Sequence, residues 1–456
     1  MENFEELLEN QKTYYQSQAT KPVKFRIAQL RRLKEILRSN EAEMNEAIYS
    51  DFKKSGFDTF TNELALLYLD IDEAIKKIPG WSKRKRVGTN LINFPAKSHI
   101  YPEPLGSSLV IGAWNYPFQL SFAPVIAAIA AGCTVVLKPS EVPSATSTII
   151  AKMINENFDQ NYFRVVEGGV PETTKLLELK WDKIFFTGSV PVGKIVYKAA
   201  AENLTPVTLE LGGKSPAIVT RNSNLDLAVR RIVWGKFLNA GQTCIAPDYV
   251  MVDKEIEDEF LSRLVKRIEE MNFSFENNNY VQIINDKNVE RLSELLKDSK
   301  IIYGGRIDKE QRYFSPTVMK DISFDDKVMQ DEIFGPILPV ISYSNLDDAI
   351  RKIKNLPKPL SCYLFSKDSE IKRRVMRELS FGGGAINDTI MHITNSNLPF
   401  GGVGSSGIGN YHGKAGFDAF THYKSVLDKG TWFDPDFKYP PYTDKKIKWL
   451  RWLLRI

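Results

Sequence analysis

Apolar residues recur every three to four positions through residues 4–18 and 22–52, separated by Glu, Lys and Arg. This period predicts amphipathic helices, and residues 62–78 predict another. A basic run, Trp81-Ser82-Lys83-Arg84-Lys85-Arg86-Val87-Gly88, then interrupts the pattern and reads as a solvated loop. Residues 91–101 behind it read as an extended arm. From Ser107 the pattern changes to short apolar runs alternating with helical periods. Strands are expected at 109–113, 134–137, 163–166 and 183–186, and helices at 122–131, 144–157, 173–179 and 192–201. Pro143 stands near the start of the second of these helices, where a fixed φ suits the first turn.

A second alternating series begins near Leu209, with strands at 217–219 and 249–252 and helices at 225–237 and 256–271, and runs to about Asn387. Such series predict an α/β fold with parallel sheets covered by helices. Two units joined near Glu210 would leave a cleft between them, a usual place for a ligand. A chain of 456 residues suits two or three domains. Residues 105–137 carry no charge and are long enough to span a bilayer. Asn115, Pro117, Gln119, Ser121 and Pro124 interrupt the stretch, so a buried strand, a polar turn, a buried helix and the start of another strand are expected instead.

Composition narrows the function classes. Apolar residues make up 43% and charged residues 26%, which is ordinary for a globular enzyme. The net charge is only +5 and no basic stripe appears, so no nucleic-acid partner is expected. Cys133, Cys244 and Cys362 offer neither a disulfide framework nor a CxxC spacing, and His99, His392, His412 and His422 are scattered. The expectation is a reduced, cytoplasmic protein without a metal. Met1-Glu2-Asn3-Phe4-Glu5-Glu6 shows no apolar leader.

Two turns suggest a nucleotide. Phe185-Phe186-Thr187-Gly188-Ser189-Val190-Pro191-Val192-Gly193 stands where a GxGxxG fingerprint would be sought, and free amides at a helix start near Pro191 suit a phosphate oxygen. Lys138-Pro139-Ser140-Glu141 follows another strand end and offers a Lys and a Glu to ribose hydroxyls. Taken singly, each reads first as a structural turn. Cys133 and Cys362 sit beside apolar neighbours and read as small buried hydrophobes. Cys244 does not, since it lies in Phe237-Leu238-Asn239-Ala240-Gly241-Gln242-Thr243-Cys244-Ile245-Ala246 with Pro247 following, on a loop after the 225–237 helix. It is a nucleophile candidate. Glu210, in Leu209-Glu210-Leu211-Gly212-Gly213-Lys214-Ser215-Pro216, is a base candidate.

In this order and spacing, the Glu210 and Cys244 stretches closely resemble the active-site signatures of the aldehyde dehydrogenases. The Lys138 and Gly188 turns are similar to that family's cofactor site, where a GxxxxG turn replaces the usual fingerprint. The resemblance covers nearly the whole chain. It implies a Rossmann-type NAD(P)-binding domain from 1–83 and 101–209, an α/β catalytic domain over 210–388, and a small β bridging or oligomerisation arm from 84–100 and 410–428. It implies NAD or NADP as cofactor, with Lys138 and Glu141 at the adenine ribose. Gly188 and Ser189 would lie near the pyrophosphate and nicotinamide, with Gly193 closing the same turn. Glu332 and Phe334, in Gln330-Asp331-Glu332-Ile333-Phe334-Gly335-Pro336, complete the cofactor set, with Glu332 at the nicotinamide ribose.

The chemistry implied is covalent. The Cys244 thiolate attacks the aldehyde carbon, because the thiolate and not the thiol is the nucleophile. The oxyanion is held by the Cys244 backbone N–H and by the side-chain amide of Asn115, in Ala113-Trp114-Asn115-Tyr116-Pro117-Phe118. Hydride transfer leaves a thioester, which water activated by Glu210 hydrolyses. Asn397-Leu398-Pro399-Phe400-Gly401-Gly402-Val403-Gly404-Ser405-Ser406-Gly407-Ile408-Gly409, Tyr411-His412-Gly413-Lys414, residues 417–423 and the short N-terminus resemble the class 3 branch. That implies medium or long aliphatic, or aromatic, aldehydes as small-molecule substrates, and a homodimer. A non-catalytic protein on the same scaffold would be favoured by loss of Cys244 or Glu210, and a CoA-acylating enzyme by release to a thiol; Glu210 argues against the second.

The tail over 436–456 ends in Lys445-Lys446-Ile447-Lys448-Trp449-Leu450-Arg451-Trp452-Leu453-Leu454-Arg455-Ile456. It predicts a short helix with apolar residues crowded on one side, too short to span a bilayer. It reads as a helix capping the protein. The alternatives are a gate over the substrate mouth, which fatty aldehyde dehydrogenases carry here, and a peripheral foot on a membrane surface.

Overall fold

The computed structural model describes residues 3–296 and 300–455; Met1, Glu2 and Ile456, and the side chain of Leu453, lie outside the described residues. The chain forms two compact units, one from residues 1–81 and 104–421 and the other from 82–103 and 422–456.

The first unit holds two large sheets. Strands run Gly407–Ile408, Val207–Glu210, Lys183–Thr187, Ser107–Ile111, Thr134–Lys138 and Phe163–Val165 across the first. All pair in parallel except Gly407–Ile408, which runs antiparallel to Val207–Glu210. Every residue of Ser107–Ile111, Thr134–Lys138 and Lys183–Thr187 is buried. Burial on both faces is why these strands read as unbroken apolar runs rather than as alternations. The strand order reverses direction between Ser107–Ile111 and Lys183–Thr187, and ligands of open α/β sheets settle at the strands' carboxyl ends beside such a point.

The uncharged stretch 105–137 is buried here as a strand, a turn, a helix and a strand. Every residue of the helix Pro117–Ala131 is buried. It stops at Gly132, whose φ of 100° lets its N–H reach back to Ala128 O at 3.0 Å. No helix among the described residues is long and apolar enough to cross a membrane.

The second sheet of this unit runs Ile301–Tyr303, Thr317–Met319, Ile337–Tyr343, Tyr249–Asp253, Pro216–Val219, Ser361–Phe365 and Gly383–Ile386. Only its first pair is antiparallel. Residues 211–215 lead from the carboxyl end of Val207–Glu210 in one sheet to the amino end of Pro216–Val219 in the other.

Three expectations shift. The 22–52 region is two helices, Val23–Ser39 and Glu41–Phe52, because Asn40 leaves helical geometry at φ −109° and ψ 12°. The helix expected at 62–78 is Ala65–Trp81, preceded by a π-helical turn Phe60–Leu64. The basic run is not wholly a loop: Lys85–Val87 is a strand, antiparallel to Ala96–Pro104, and it keeps its cations in solvent. These two strands and Thr421–Lys429 form the three-stranded sheet of the second unit. That unit ends in the helix Asp444–Leu454, capped by Thr443.

Candidate active site

The Cys244 loop begins with backbone strain. Asn239, Ala240 and Gly241 lie consecutively in left-handed conformation, at φ 52°, 51° and 72°. Outside glycine this costs about 1–2 kcal/mol per residue. Hydrogen bonds from several directions impose it. Gln242, wholly buried, donates to Asn239 O and Gln282 O at 3.1 Å and accepts from Ile284 N at 3.0 Å. Asn239 Nδ2 donates to Asn115 O at 3.0 Å and to Gln242 O at 3.1 Å. The turn containing Cys244 is then pinned on both sides. Tyr116 and Thr243 share a hydroxyl hydrogen bond of 2.7 Å, and Tyr363 OH donates to Ile245 O at 2.6 Å.

Asn115 follows the strand Ser107–Ile111 and is buried. Its Nδ2 donates to Gln242 O at 3.0 Å. A primary amide carries two N–H groups, so one remains for another acceptor. The structure therefore joins Asn115 from the first sheet to the cysteine loop of the second.

Glu210 ends the strand Val207–Glu210, and its carbonyl accepts from Gly188 N at 3.0 Å. The side chain is buried, and neither carboxylate oxygen finds a hydrogen-bond partner among the described residues. Burial pushes its pKa well above the usual carboxylate range. An unpartnered buried carboxyl is costly, and such groups cluster at functional sites. The Cys244 thiol is pushed up to about 12 by burial and then by the Glu332 and Glu210 carboxylates, while the backbone amides of Cys244 and Ile245 pull it down. Cys133 and Cys362 are buried hydrophobes, as their neighbours suggested.

Glu332 lies against the loop after Glu210. A Cβ on Gly212 would stand 1.9 Å from Glu332 Oε2, so any larger residue there would push the Glu332 carboxyl aside. Burial raises Glu332 to about 8 with help from Asp248, against the Gly213 amide, Lys214 and Lys236. The segment carrying it is fixed by Lys214, whose Nζ meets Asp248 Oδ2 at 2.5 Å and Asp331 O at 2.9 Å, and by Asp248 Oδ1, which accepts from Ile333 N at 2.9 Å. Phe334 holds a positive φ of 46° and sets its ring on Trp114, with centroids 5.3 Å apart. The sequence did not mark Lys214, Asp248 or Lys236: a charged residue in a loop or helix reads as surface unless burial is known.

The nucleotide candidates lie at the carboxyl ends of Thr134–Lys138 and Lys183–Thr187, the two strands that flank Ser107–Ile111 in the sheet. Lys138 ends Thr134–Lys138 and is buried, with Nζ 2.7 Å from Glu141 Oε2. Burial, the largest single influence, would raise Glu141, but the Lys138 hydrogen bond, Glu141's own backbone amide and the Lys138 charge together hold the carboxyl below its usual value. Ser189 caps the helix Val190–Glu202 without a side-chain bond to it, which leaves that helix start for an anion. A Cβ on Gly188 would meet the Phe186 ring at 2.6 Å, and one on Gly193 would meet Leu211 at 2.6 Å. These glycines let the turn and the helix lie close on the sheet. An uncapped helix start, a Lys–Glu pair after another strand of the same sheet and a second carboxyl at Gly212 suit a dinucleotide.

A parallel sheet with a nucleotide turn at its reversal point, beside a free cysteine and a buried carboxyl, defines a dinucleotide-dependent oxidoreductase. Comparison sharpens the class. Residues 1–426 match the aldehyde dehydrogenase family. The chain is 47% identical over 450 residues to 4,4'-diaponeurosporen-aldehyde dehydrogenase of Staphylococcus aureus, covering 98% of each. It is 42% identical to the dimeric NADP-preferring aldehyde dehydrogenase of Rattus norvegicus, covering 97% of this chain and 98% of that one. A substrate-bound structure of Staphylococcus aureus AldH superposes with a TM-score of 0.97 at 46% identity, covering 100% of both chains. The chain belongs to the aldehyde dehydrogenase family, among its class 3 members, and oxidises aldehydes with NAD or NADP.

Proposed function

We propose that this chain oxidises medium to long aliphatic, or aromatic, aldehydes to carboxylic acids through a thioester on Cys244. The observation that carries the reading is the strained, doubly pinned Cys244 turn, with Asn115 bonded into it and the unpartnered Glu210 carboxyl acting on its thiol. Cys244 Sγ bonds to the aldehyde carbon, and the carbonyl oxygen becomes an oxyanion. The free N–H of Asn115 Nδ2 and the Cys244 backbone N–H receive that charge. Each such donor is worth about 3 kcal/mol of barrier. Lys138, Glu141, Gly188, Ser189, Gly193, Glu332 and Phe334 would hold NAD or NADP, which when bound would supply the hydride acceptor for oxidation of the Cys244 adduct to a thioester. Glu210 then takes a proton from water attacking the thioester carbon. The carbon–sulfur bond breaks, the acid leaves, and the Cys244 thiolate returns.

The 1–83 and 101–209 segments serve the cofactor in this reading, 210–388 the covalent chemistry, and 84–100 with 410–428 a homodimer. A long apolar substrate is supported by the relative named for diaponeurosporen-aldehyde, and a dimer by the relative named dimeric. A cytoplasmic place with peripheral membrane contact through the tail fits the exposed tryptophans of the last helix.

Two variants test the chemistry. Cys244→Ser should abolish aldehyde-dependent NAD(P)H formation while leaving NAD(P)H binding, followed by fluorescence, intact; turnover within tenfold of the parent rejects Cys244 as nucleophile. Glu210→Gln should slow the steady state by ~10²–10⁴-fold and leave a burst of NAD(P)H in rapid mixing. Equal loss of burst and steady state would place Glu210 earlier, on the thiol.

A further inference from the structure

Lys54 and Glu63 are both wholly buried, and Lys54 Nζ stands 2.6 Å from Glu63 Oε1. The second carboxylate oxygen, Oε2, accepts from the backbone N–H of Phe118 at 2.8 Å and of Gln119 at 3.2 Å. Those are the second and third residues of the helix Pro117–Ala131. Its cap, Tyr116, makes no side-chain bond to it, and Pro117 has no N–H to bond. A carboxylate from another segment thus caps this helix, and its charge faces the positive end of the helix dipole. Lys54 Nζ also lies 4.1 Å from the centre of the Tyr116 ring.

The clamped turn is the one that carries Asn115. From Tyr116 the connection runs through its hydroxyl to Thr243, the neighbour of Cys244, and from Asn115 to Gln242 O. A buried ion pair gives little stability over well-packed apolar side chains, so fold stability alone does not account for one here. What the pair supplies is direction: a carboxylate fixed by a cation takes two amides of one turn on a single oxygen. We propose that Lys54 and Glu63 are positioning residues for the oxyanion site, holding the 115–119 turn so that the free N–H of Asn115 meets the substrate oxygen. This rests on the reading of Asn115 given above.

The test is a double-mutant cycle on single-turnover NAD(P)H formation, with enzyme in excess over aldehyde and cofactor saturating. Asn115→Ala should slow that step about 10²–10³-fold. Glu63→Gln and Lys54→Met should each slow it about tenfold to a hundredfold, since small misplacements near the reacting atoms cost that much. Binding of NAD(P)H should stay near that of the parent. In the Asn115→Ala background the same two changes should cost less than threefold, because the group they orient is gone. Effects that multiply in full across the two sites overturn the positioning role and leave Asn115 standing. A parent-like rate in Glu63→Gln also overturns it. A parent-like rate in Asn115→Ala removes the oxyanion reading and the positioning role together. Should Glu63→Gln not fold, Glu63→Asp, which keeps the charge and withdraws it by one methylene, is read by the same criteria.

Discussion

At the scale of single residues, the type of each candidate group was legible in the sequence, and its ionisation was not. Nothing in the order of amino acids says that the Cys244 thiol is held up to about 12 by burial, Glu332 and Glu210, or that Glu332 itself is raised to about 8. Those values give a signed expectation. Glu332 is neutral below about pH 8 and negative above it, where it opposes thiolate formation. Removing that charge lowers the thiol pKa, so Glu332→Gln should raise the rate of iodoacetamide alkylation of Cys244 in cofactor-free protein. The gain should be largest at pH 9 and small at pH 7, at up to tenfold per pKa unit. Peptide mass mapping separates Cys244 from Cys133 and Cys362. A gain independent of pH would mean that the variant opens the site to the reagent instead of changing its charge. Lys54 and Glu63 mark the other limit of the sequence. Each is a charged residue of a kind usually found at a surface, and only the fold buries both, with Lys54 against the Tyr116 ring and Glu63 on the amides of Phe118 and Gln119.

At the scale of elements, the alternation from Ser107 onward predicted strands and helices that are present within a few residues, because buried parallel strands and their covering helices leave strong apolar runs. The helix at Leu225–Phe237 and the strand starts at Thr134, Phe163, Lys183 and Tyr249 fell where the pattern put them. The breaks were harder to see. Asn40 ends a helix without a proline or glycine, and the π-helical turn at Phe60–Leu64 has the composition of an ordinary helix. The left-handed run at Asn239, Ala240 and Gly241 was also hidden, since two of its three residues are not glycine and are forced there by Gln242 and Asn239 bonds. Gly241 tests how closely that run is constrained. At φ 72°, a Cβ would stand 2.3 Å from Gly335 O. Gly241→Ala should therefore cost more than the ~1–2 kcal/mol of left-handed strain, because the carbonyl it meets is backbone and cannot swing away. Urea unfolding should show a lower midpoint with an unchanged slope, together with slower single-turnover oxidation. Unchanged stability would show that the 335 loop yields freely and that the turn is not tightly held.

At the scale of the whole molecule, the family and its oxidation of aldehydes were legible from the Glu210 and Cys244 stretches, whereas substrate size depends on surfaces that no motif encodes. The last helix, Asp444–Leu454, is the part of the chain to question first. Trp452 is 74% exposed, and Ile447, Trp449 and Leu454 each stay about half exposed at 46%, 47% and 47%, more apolar surface than a closing helix usually leaves in water. Lys446 Nζ anchors its first turn to Tyr439 O at 2.9 Å and to Asp436 at 3.0 Å, and Phe437 packs on Trp449 with centroids 5.2 Å apart, so the helix is built into its own unit. None of the catalytic candidates lies in it. If it meets substrate, it meets the alkyl chain, at roughly 0.8 kcal/mol per buried methylene. Deleting residues 445–456 should then leave kcat/KM for hexanal near that of the parent and lower it progressively toward hexadecanal, with detergent and oligomeric state held constant. A uniform loss at every length would assign the tail to the stability of the fold or the dimer. An unchanged series, together with lost binding to vesicles of anionic lipid, would make the helix a membrane foot, which its three terminal lysines and two arginines around exposed tryptophans equip it to be.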